Sequence, residues 1–325
     1  MNIWNKSIIG LELDSEEIRA VEIKGTRKKP SVVAWGSAKL PEGLVKDGKI
    51  INPKLLFCHI ESLMTENGFK GKEIMLGVNN QDILVRFASF PKVAEDKIKS
   101  MIRFQAQDYI PVPMDEIELD YVVVDEKKNI NGEFINVLLV GARKKMLKDF
   151  IEVFSESKLV IKEIDSTLLA LGRAALVESH QGTFALVCFN HDIGNILIFK
   201  EGYLGMARSL SIKQAPAWVS SEDSLHESLD HGSTVIADIL YNEIKSSVSY
   251  YKMQSGESIE DIYVIGCSDK QEKVAKRLSE TIGSNIVVMK PYSSINAKGG
   301  KNPLDSFKTS EFVASISLAL RGLGE

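Results

Sequence analysis

Two apolar hairpins with polar turns, one near the start of the chain and one just past its middle, constrain the fold more than any other feature. The first runs Ile8-Ile9-Gly10-Leu11-Glu12-Leu13, crosses the acidic loop Asp14-Ser15-Glu16-Glu17, and returns through Ile18-Arg19-Ala20-Val21-Glu22-Ile23. Strand alternation puts Ile18, Ala20 and Glu22 on one face and Arg19, Val21 and Ile23 on the other. The second runs Phe184-Ala185-Leu186-Val187-Cys188-Phe189, turns through residues 190–195, and returns as Ile196-Leu197-Ile198-Phe199. One plan used twice, each copy opening a half of the chain, implies a duplicated α/β unit with a cleft between the copies. The two turns then face each other across that cleft, where a nucleotide's phosphates would lie.

A chain of 325 residues is long enough for two domains, each with its own core. Its 44% hydrophobic and 26% charged content is that of a globular protein. A formal net charge of −4 offers no basic excess to collect phosphates, which argues against a general nucleic-acid binder. Cys58, Cys188 and Cys267 are far apart and fit buried thiols in a reducing compartment. His191, His226 and His231 have no carboxylate or cysteine at ligand spacing, so no metal is expected. No apolar run reaches the roughly 18 residues of a membrane span, and 1–6 lack a signal peptide's apolar core. A cytoplasmic location without direct membrane insertion is expected.

Along the chain, helical spacing predicts a helix over 53–67 with Leu55, Leu56, Ile60, Leu63 and Met64 on one face. Strands are expected at 72–78 and 83–90, and a helix from Pro91 to about Tyr109. Ile110-Pro111-Val112-Pro113 stops that helix, because proline lacks a donor and biases its predecessor away from helix. Strands at 119–125 and 134–142, a helix over 144–157, a strand at 160–161 and a helix over 166–178 follow. In the second half, 214–232 reads as an exposed connection, 233–253 as a helix with an Ile236, Leu240, Ile244, Val248, Tyr251 stripe, and 261–266 as a strand. A helix at 270–282, a flexible loop at 295–301 and a closing helix at 311–320 complete the chain.

The run from Ile102 to Pro113, Ile-Arg-Phe-Gln-Ala-Gln-Asp-Tyr-Ile-Pro-Val-Pro, followed by Glu118-Leu119-Asp120-Tyr121, resembles the signature of the PilM family of type IV pilus assembly proteins. Leu40-Pro41-Glu42-Gly43 with Asp47-Gly48, Val140-Gly141-Ala142-Arg143, and the closing Ala319-Leu320-Arg321-Gly322-Leu323 agree with it in order. The resemblance implies an actin-like (duplicated RNase H-like) two-lobe α/β fold with an FtsA-like subdomain inserted in the first lobe. The expected division is 1–83, 162–182 and 305–325 for the first lobe, 84–161 for the insertion and 183–304 for the second lobe. It also implies a partner: the cytoplasmic N-terminal tail of a PilN-like inner-membrane protein, held in a groove between the first lobe and the insertion. Other pilus platform or motor proteins are further implied partners, and the chain would sit at the inner face of the cytoplasmic membrane through a protein contact. Arg103, Gln105, Gln107, Tyr109, Ile110 and Pro111 are the candidate groove residues; the competing reading is a helix's wet face followed by a rigid stop.

An actin-like phosphate loop uses Asp-x-Gly and small hydroxyl residues, so that backbone N–H groups approach the phosphates and the aspartate acts through magnesium. Where the family reads Asp-Ile-Gly-Ser-Ser-Ser-Val-Lys, this chain has Glu12-Leu13-Asp14-Ser15-Glu16-Glu17-Ile18-Arg19. The second loop keeps neither aspartate nor glycine, with Asn190 and Asp192 in their neighbourhood. The adenosine turn keeps one glycine in Gly266-Cys267-Ser268-Asp269, and the long helix keeps Glu243-Ile244 with Ser246 in place of arginine. One like-charge pair of carboxylate and phosphate at 4 Å costs roughly 4 kcal/mol at an effective dielectric of about 20. These departures imply nucleotide binding that is weak or lost and no ATP hydrolysis; ATP and magnesium would bind only if the cleft has stayed competent. The expected role is a pilus-assembly scaffold. The alternatives are an ATP-dependent switch in the same machinery and an FtsA-like division protein, the latter without a basic amphipathic tail at Leu320–Glu325.

Overall fold

The structure, a computed structural model, describes residues 7–46, 49–80, 82–129, 132–178, 181–190, 193–212, 225–259, 261–266, 271–283, 286–298, 301–303 and 306–324; of 129 and 225–232 it describes the backbone alone. The chain opens as β1 (Ser7–Leu13), β2 (Glu17–Thr26), β3 (Lys29–Lys39), two short strands β4 (Val45–Lys46) and β5 (Lys49–Ile50), α1 (Pro53–Glu66) and β6 (Glu73–Val78). The first hairpin closes where the Asp14 N–H donates to the Glu17 carbonyl at 3.0 Å. Its register sets Leu11 opposite Ala20 and Leu13 opposite Ile18, so these four share a face, and with Ile9 they bury against Leu56, Ile60, Leu63 and Met64 of α1. The Asn52 side chain accepts from the Leu55 N–H at 3.0 Å and so caps α1, whose second turn begins its inward stripe. Leu55 itself is 42% exposed, one position off that stripe, and not inward as its spacing suggested.

Next come β7 (Ile83–Pro91), α2 (Glu95–Gln105), β8 (Ile117–Asn129), β9 (Gly132–Arg143), α3 (Lys144–Val153), β10 (Val160–Ser166) and α4 (Thr167–Glu178). Pro91 ends β7 opposite Phe134 and does not open the helix. α2 starts at Glu95, where Glu95 and Asp96 complement its N-terminal dipole. A three-stranded antiparallel sheet, β7-β9-β8, is covered on one face by Ile102, Ala106 and Ile110, which pack on Phe90, Ile135, Val137 and Leu139. Residues 144–161 depart from the expected boundary. Met146, Phe150 and Val153 of α3 share the first lobe's core with Ile9 and Leu11, and Val160 and Ile161 pair with Glu73 and Ile74 of β6. Amphipathic α3 buries its stripe where the larger apolar surface lies.

The second half holds β11 (Thr183–Phe189), β12 (Ile193–Lys200), β13 (Tyr203–Ser211), α5 (Leu225–Ser255), β14 (Asp261–Gly266), α6 (Gln271–Ile282), β15 (Ile286–Val288), β16 (Asn296–Ala297) and α7 (Val313–Leu323). Sheet orders are β10-β6-β1-β2-β3-β16 and β13-β12-β11-β14-β15. In each, a hairpin and a third antiparallel strand lie on one side of the opening strand and parallel strands on the other, so the duplication is one of topology. α5 covers the second sheet through Ile236, Leu240 and Ile244. It starts at Leu225, so the last part of the expected 214–232 connection is helix, and 213–224 lie outside the described residues. Within the expected loop at 295–301, β16 pairs in parallel with β3 and the Lys298 N–H donates to the Val32 carbonyl at 2.8 Å. These residues therefore belong to the first lobe's sheet edge. α7 crosses β1 so closely that a Cβ on Gly10 would lie 1.9 Å from the Ser315 carbonyl oxygen.

Candidate functional site

The two hairpins meet at the ends of β1 and β11. Glu12, at the end of β1, is fully buried, and Asn190, just after β11, donates through Nδ2 to Glu12 Oε1 at 3.4 Å. Glu12 lies opposite Arg19 in the hairpin register, and Arg19 Nη1 stands 4.0 Å from Glu12 Oε2 while its Nη2 reaches Glu17 Oε2 at 2.5 Å. Among the described residues Glu12 Oε2 has no hydrogen-bond donor. Burial pushes the Glu12 carboxyl up to about 7; the Arg19 guanidinium and the Asn190 amide pull it down, while Asp14 and Glu17 add to the rise.

The loop also holds its own anion. Asp14 Oδ1 accepts from the Ser15 N–H at 2.7 Å and from Ser15 Oγ at 3.4 Å, so the backbone donor that a phosphate would use is engaged by a carboxylate. The Glu16 carbonyl is taken by the Leu40 N–H at 2.8 Å. Glu243 on α5 is bound by Arg208 of β13, Nε to Oε1 at 2.6 Å, and Arg208 Nη1 donates to Ser246 Oγ at 3.0 Å. Gly266 ends β14; Asp192, Cys267 and Ser268 lie outside the described residues. Cys188 is buried in a β11 core position, where burial raises its thiol pKa and leaves it a packing group. Cys58, expected buried, is exposed on α1.

A second site lies on the other side of the β7-β9-β8 sheet from α2. There a groove of about 1510 Å³ runs between that sheet, the first lobe at β10, α4 and the end of α7, and the rim of β12 and β13. Its walls are apolar, with Val122, Leu138, Val140, Leu169, Leu197 and Phe199 among them. At one side Asp165, buried at the end of β10, accepts from Arg173 Nη2 at 2.5 Å and faces Arg321 Nη1 at 2.7 Å; Arg321 also pairs with Glu163. This cluster joins α4, β10 and α7.

None of Arg103, Gln105, Gln107, Tyr109, Ile110 and Pro111 lines the groove. α2 and the turn after it cover the opposite face of the three-stranded sheet, where Ile110 is buried against Ile117 and beside Gly141. β9 is apolar on both faces, so its sequence pattern carries no sign of which face α2 takes. The groove residues Asp165, Arg173 and Arg321 were missed because their meeting depends on the placement of three separate elements; only Arg321 falls within a quoted motif.

A family model described as type IV pilus assembly protein PilM matches residues 10–186. The chain is similar to a solved PilM-PilN type IV pilus biogenesis complex, 21% identical, with 98% of this chain and 99% of that chain covered and a TM-score of 0.83. It is also similar to the ethanolamine utilization protein EutJ from Carboxydothermus hydrogenoformans, at 11% identity, 97% and 89% coverage and a TM-score of 0.52. A Bacteroides thetaiotaomicron protein with an actin-like ATPase fold matches at 12% identity, 89% and 93% coverage and a TM-score of 0.48. The fold is actin-like, with two lobes.

Proposed function

The chain belongs to the type IV pilus assembly protein PilM family, and from that premise we propose that it is a scaffold of pilus assembly that holds the cytoplasmic N-terminal tail of a PilN-like inner-membrane protein. The observation that carries this reading is the preformed apolar groove of about 1510 Å³ at the junction of the three-stranded sheet with the first lobe. Apolar walls with a few placed charges are what a peptide site offers. No helix among the described residues is long and apolar enough to cross a membrane, which fits peripheral attachment at the inner face of the cytoplasmic membrane through this partner. Other platform or motor proteins would then meet the scaffold elsewhere on its surface.

The same reading makes the interlobe cleft a structural joint without catalysis. Asp14 occupies a loop donor, Glu12 is buried and in contact with Asn190 of the other hairpin, and Glu243 is held by Arg208. We read this set as a poor seat for a nucleotide, because phosphates beside Asp14 would meet carboxylates while Arg19 is engaged by Glu12 and Glu17. ATP turnover is not expected.

Val122 tests the groove. Its side chain is 58% exposed on the groove wall, so Val122→Asp should fold normally while placing a carboxylate where the tail buries apolar surface. In a fluorescence anisotropy titration with a synthetic peptide of the cognate PilN tail, the variant is expected to bind at least about tenfold more weakly. Equal affinity would place the tail elsewhere.

A further inference from the structure

The three-stranded sheet β7-β9-β8 touches both lobes. It is rooted in the first, where Ile83 of β7 and Ala142 of β9 pack on the core under α1. Arg143 ties the two chain crossings together at that root. Its Nε stands 3.2 Å from Asp82 Oδ1, its Nη1 3.3 Å from Glu116 Oε2, and its N–H donates to the Asp82 carbonyl at 3.3 Å. Along its other edge β7, an outer strand, lies against β13, which is the outer strand of the second lobe's sheet. The sheet is thus anchored in one lobe and seated on the other.

Between these anchors one apolar core draws on all three bodies. Val85 and Leu138 of the three-stranded sheet, Leu168 and Leu171 of α4, and Leu197 and Phe199 of β12 share it, with Phe87, Leu204 and Ala207 packed against its margin. α4 comes so close to β12 that a Cβ on Gly172 would stand 3.0 Å from Phe199 Cζ. Phe199 in turn stacks on Phe184, ring centroids 5.1 Å apart. Lobes that meet through a small polar interface rotate by default, and a large apolar interface removes that freedom. Rotation here would part Leu197 and Phe199 from Val85, Leu138 and α4 and return apolar surface to water. It would also break the hydrogen bond from Asn190 to Glu12 at the ends of β11 and β1.

From this juxtaposition we infer that the three-stranded sheet is a brace: rooted in the first lobe and seated on β13, it holds the two lobes at one angle. The interlobe joint is then rigid whatever the cleft contains, and lifting the sheet off β13 frees the lobes to rotate. This rests on the reading of the interlobe cleft as a structural joint.

The test is a pulsed electron paramagnetic resonance distance between spin labels on the two lobes of the full chain. One label goes on Cys58, exposed on α1, and the other on Met253→Cys, a position 86% exposed on α5. Cys188 is buried, and Cys267→Ser removes the remaining thiol. The expected result is a single narrow distance that saturating Mg-ATP leaves unchanged. Ala207→Asp, which sets a carboxylate on β13 at the margin of the shared core, should lose that narrow distance to a broad distribution. Phe87→Ser, a lesion on the β7 side, should do the same. A narrow distance that survives both substitutions overturns the brace and leaves the joint reading standing. A distance that is broad in the unsubstituted core, or that shifts with Mg-ATP, sinks the brace and the joint reading together.

Discussion

Gly10→Ala is expected to destabilise the protein by about 3 kcal/mol or more, an overpacking cost at the top of its usual range. Gly10 lies in β1, between β2 and β6, and α7 crosses it. An added Cβ would stand 1.9 Å from the Ser315 carbonyl oxygen and 2.9 Å from the Ala319 nitrogen, both backbone atoms that no rotamer change can move. α7 would have to lift, and with it Ile316, Leu318, Ala319 and Leu323, which share a core with Ile8, Val21 and Met75. In a chain of this size about 3 kcal/mol lowers the unfolding midpoint by roughly 6 °C or more. An unchanged midpoint would mean that α7 does not seat on Gly10.

Glu12→Gln is expected to stabilise the protein at pH 8 by up to about 3 kcal/mol and to change it little at pH 5. The Glu12 carboxyl stands at about 7 in the folded chain against an ordinary 4.5, mainly through burial. A carboxyl raised in this way holds its proton more tightly when folded than when unfolded. Its contribution is thus fully present below about pH 4.5 and is lost as pH rises through about 7. Glutamine keeps the shape and neutrality of the protonated acid and still offers a carbonyl to Asn190. Urea unfolding of both proteins from pH 5 to pH 8 would separate them; parallel pH profiles would sink the assignment of this titration to Glu12.

Much of the architecture was legible because hairpins and helical stripes are local signals. The alternation around Ile18 and Ala20 correctly divided the strand between the core under α1 and the core under α7. The stripe Ile236, Leu240, Ile244 likewise faces the second sheet. What stayed hidden is long-range. α3 reads as amphipathic whichever sheet it serves, so its place on the first lobe's core depends on contacts far along the chain. β16 is too short to carry a strand pattern, and only pairing with β3 orders it. The polar residues of α2 look the same whether they face a partner or water, and Phe104, 75% exposed among them, shows that this face is not graded by hydrophobicity. Glu12 was legible as a departure from a phosphate loop, but its contact with Asn190 needed both halves in place.

The central claim is that the tail binds this scaffold without help from nucleotide. Isothermal titration of the PilN-tail peptide into the full chain, with and without saturating Mg-ATP, tests it most directly. Ligands that bind one protein independently leave each other's affinities unchanged. The expected result is one dissociation constant, equal within about twofold under both conditions. Tail binding that appears only with Mg-ATP, or tightens by about tenfold or more when it is added, would contradict the account and make the interlobe cleft a working nucleotide switch.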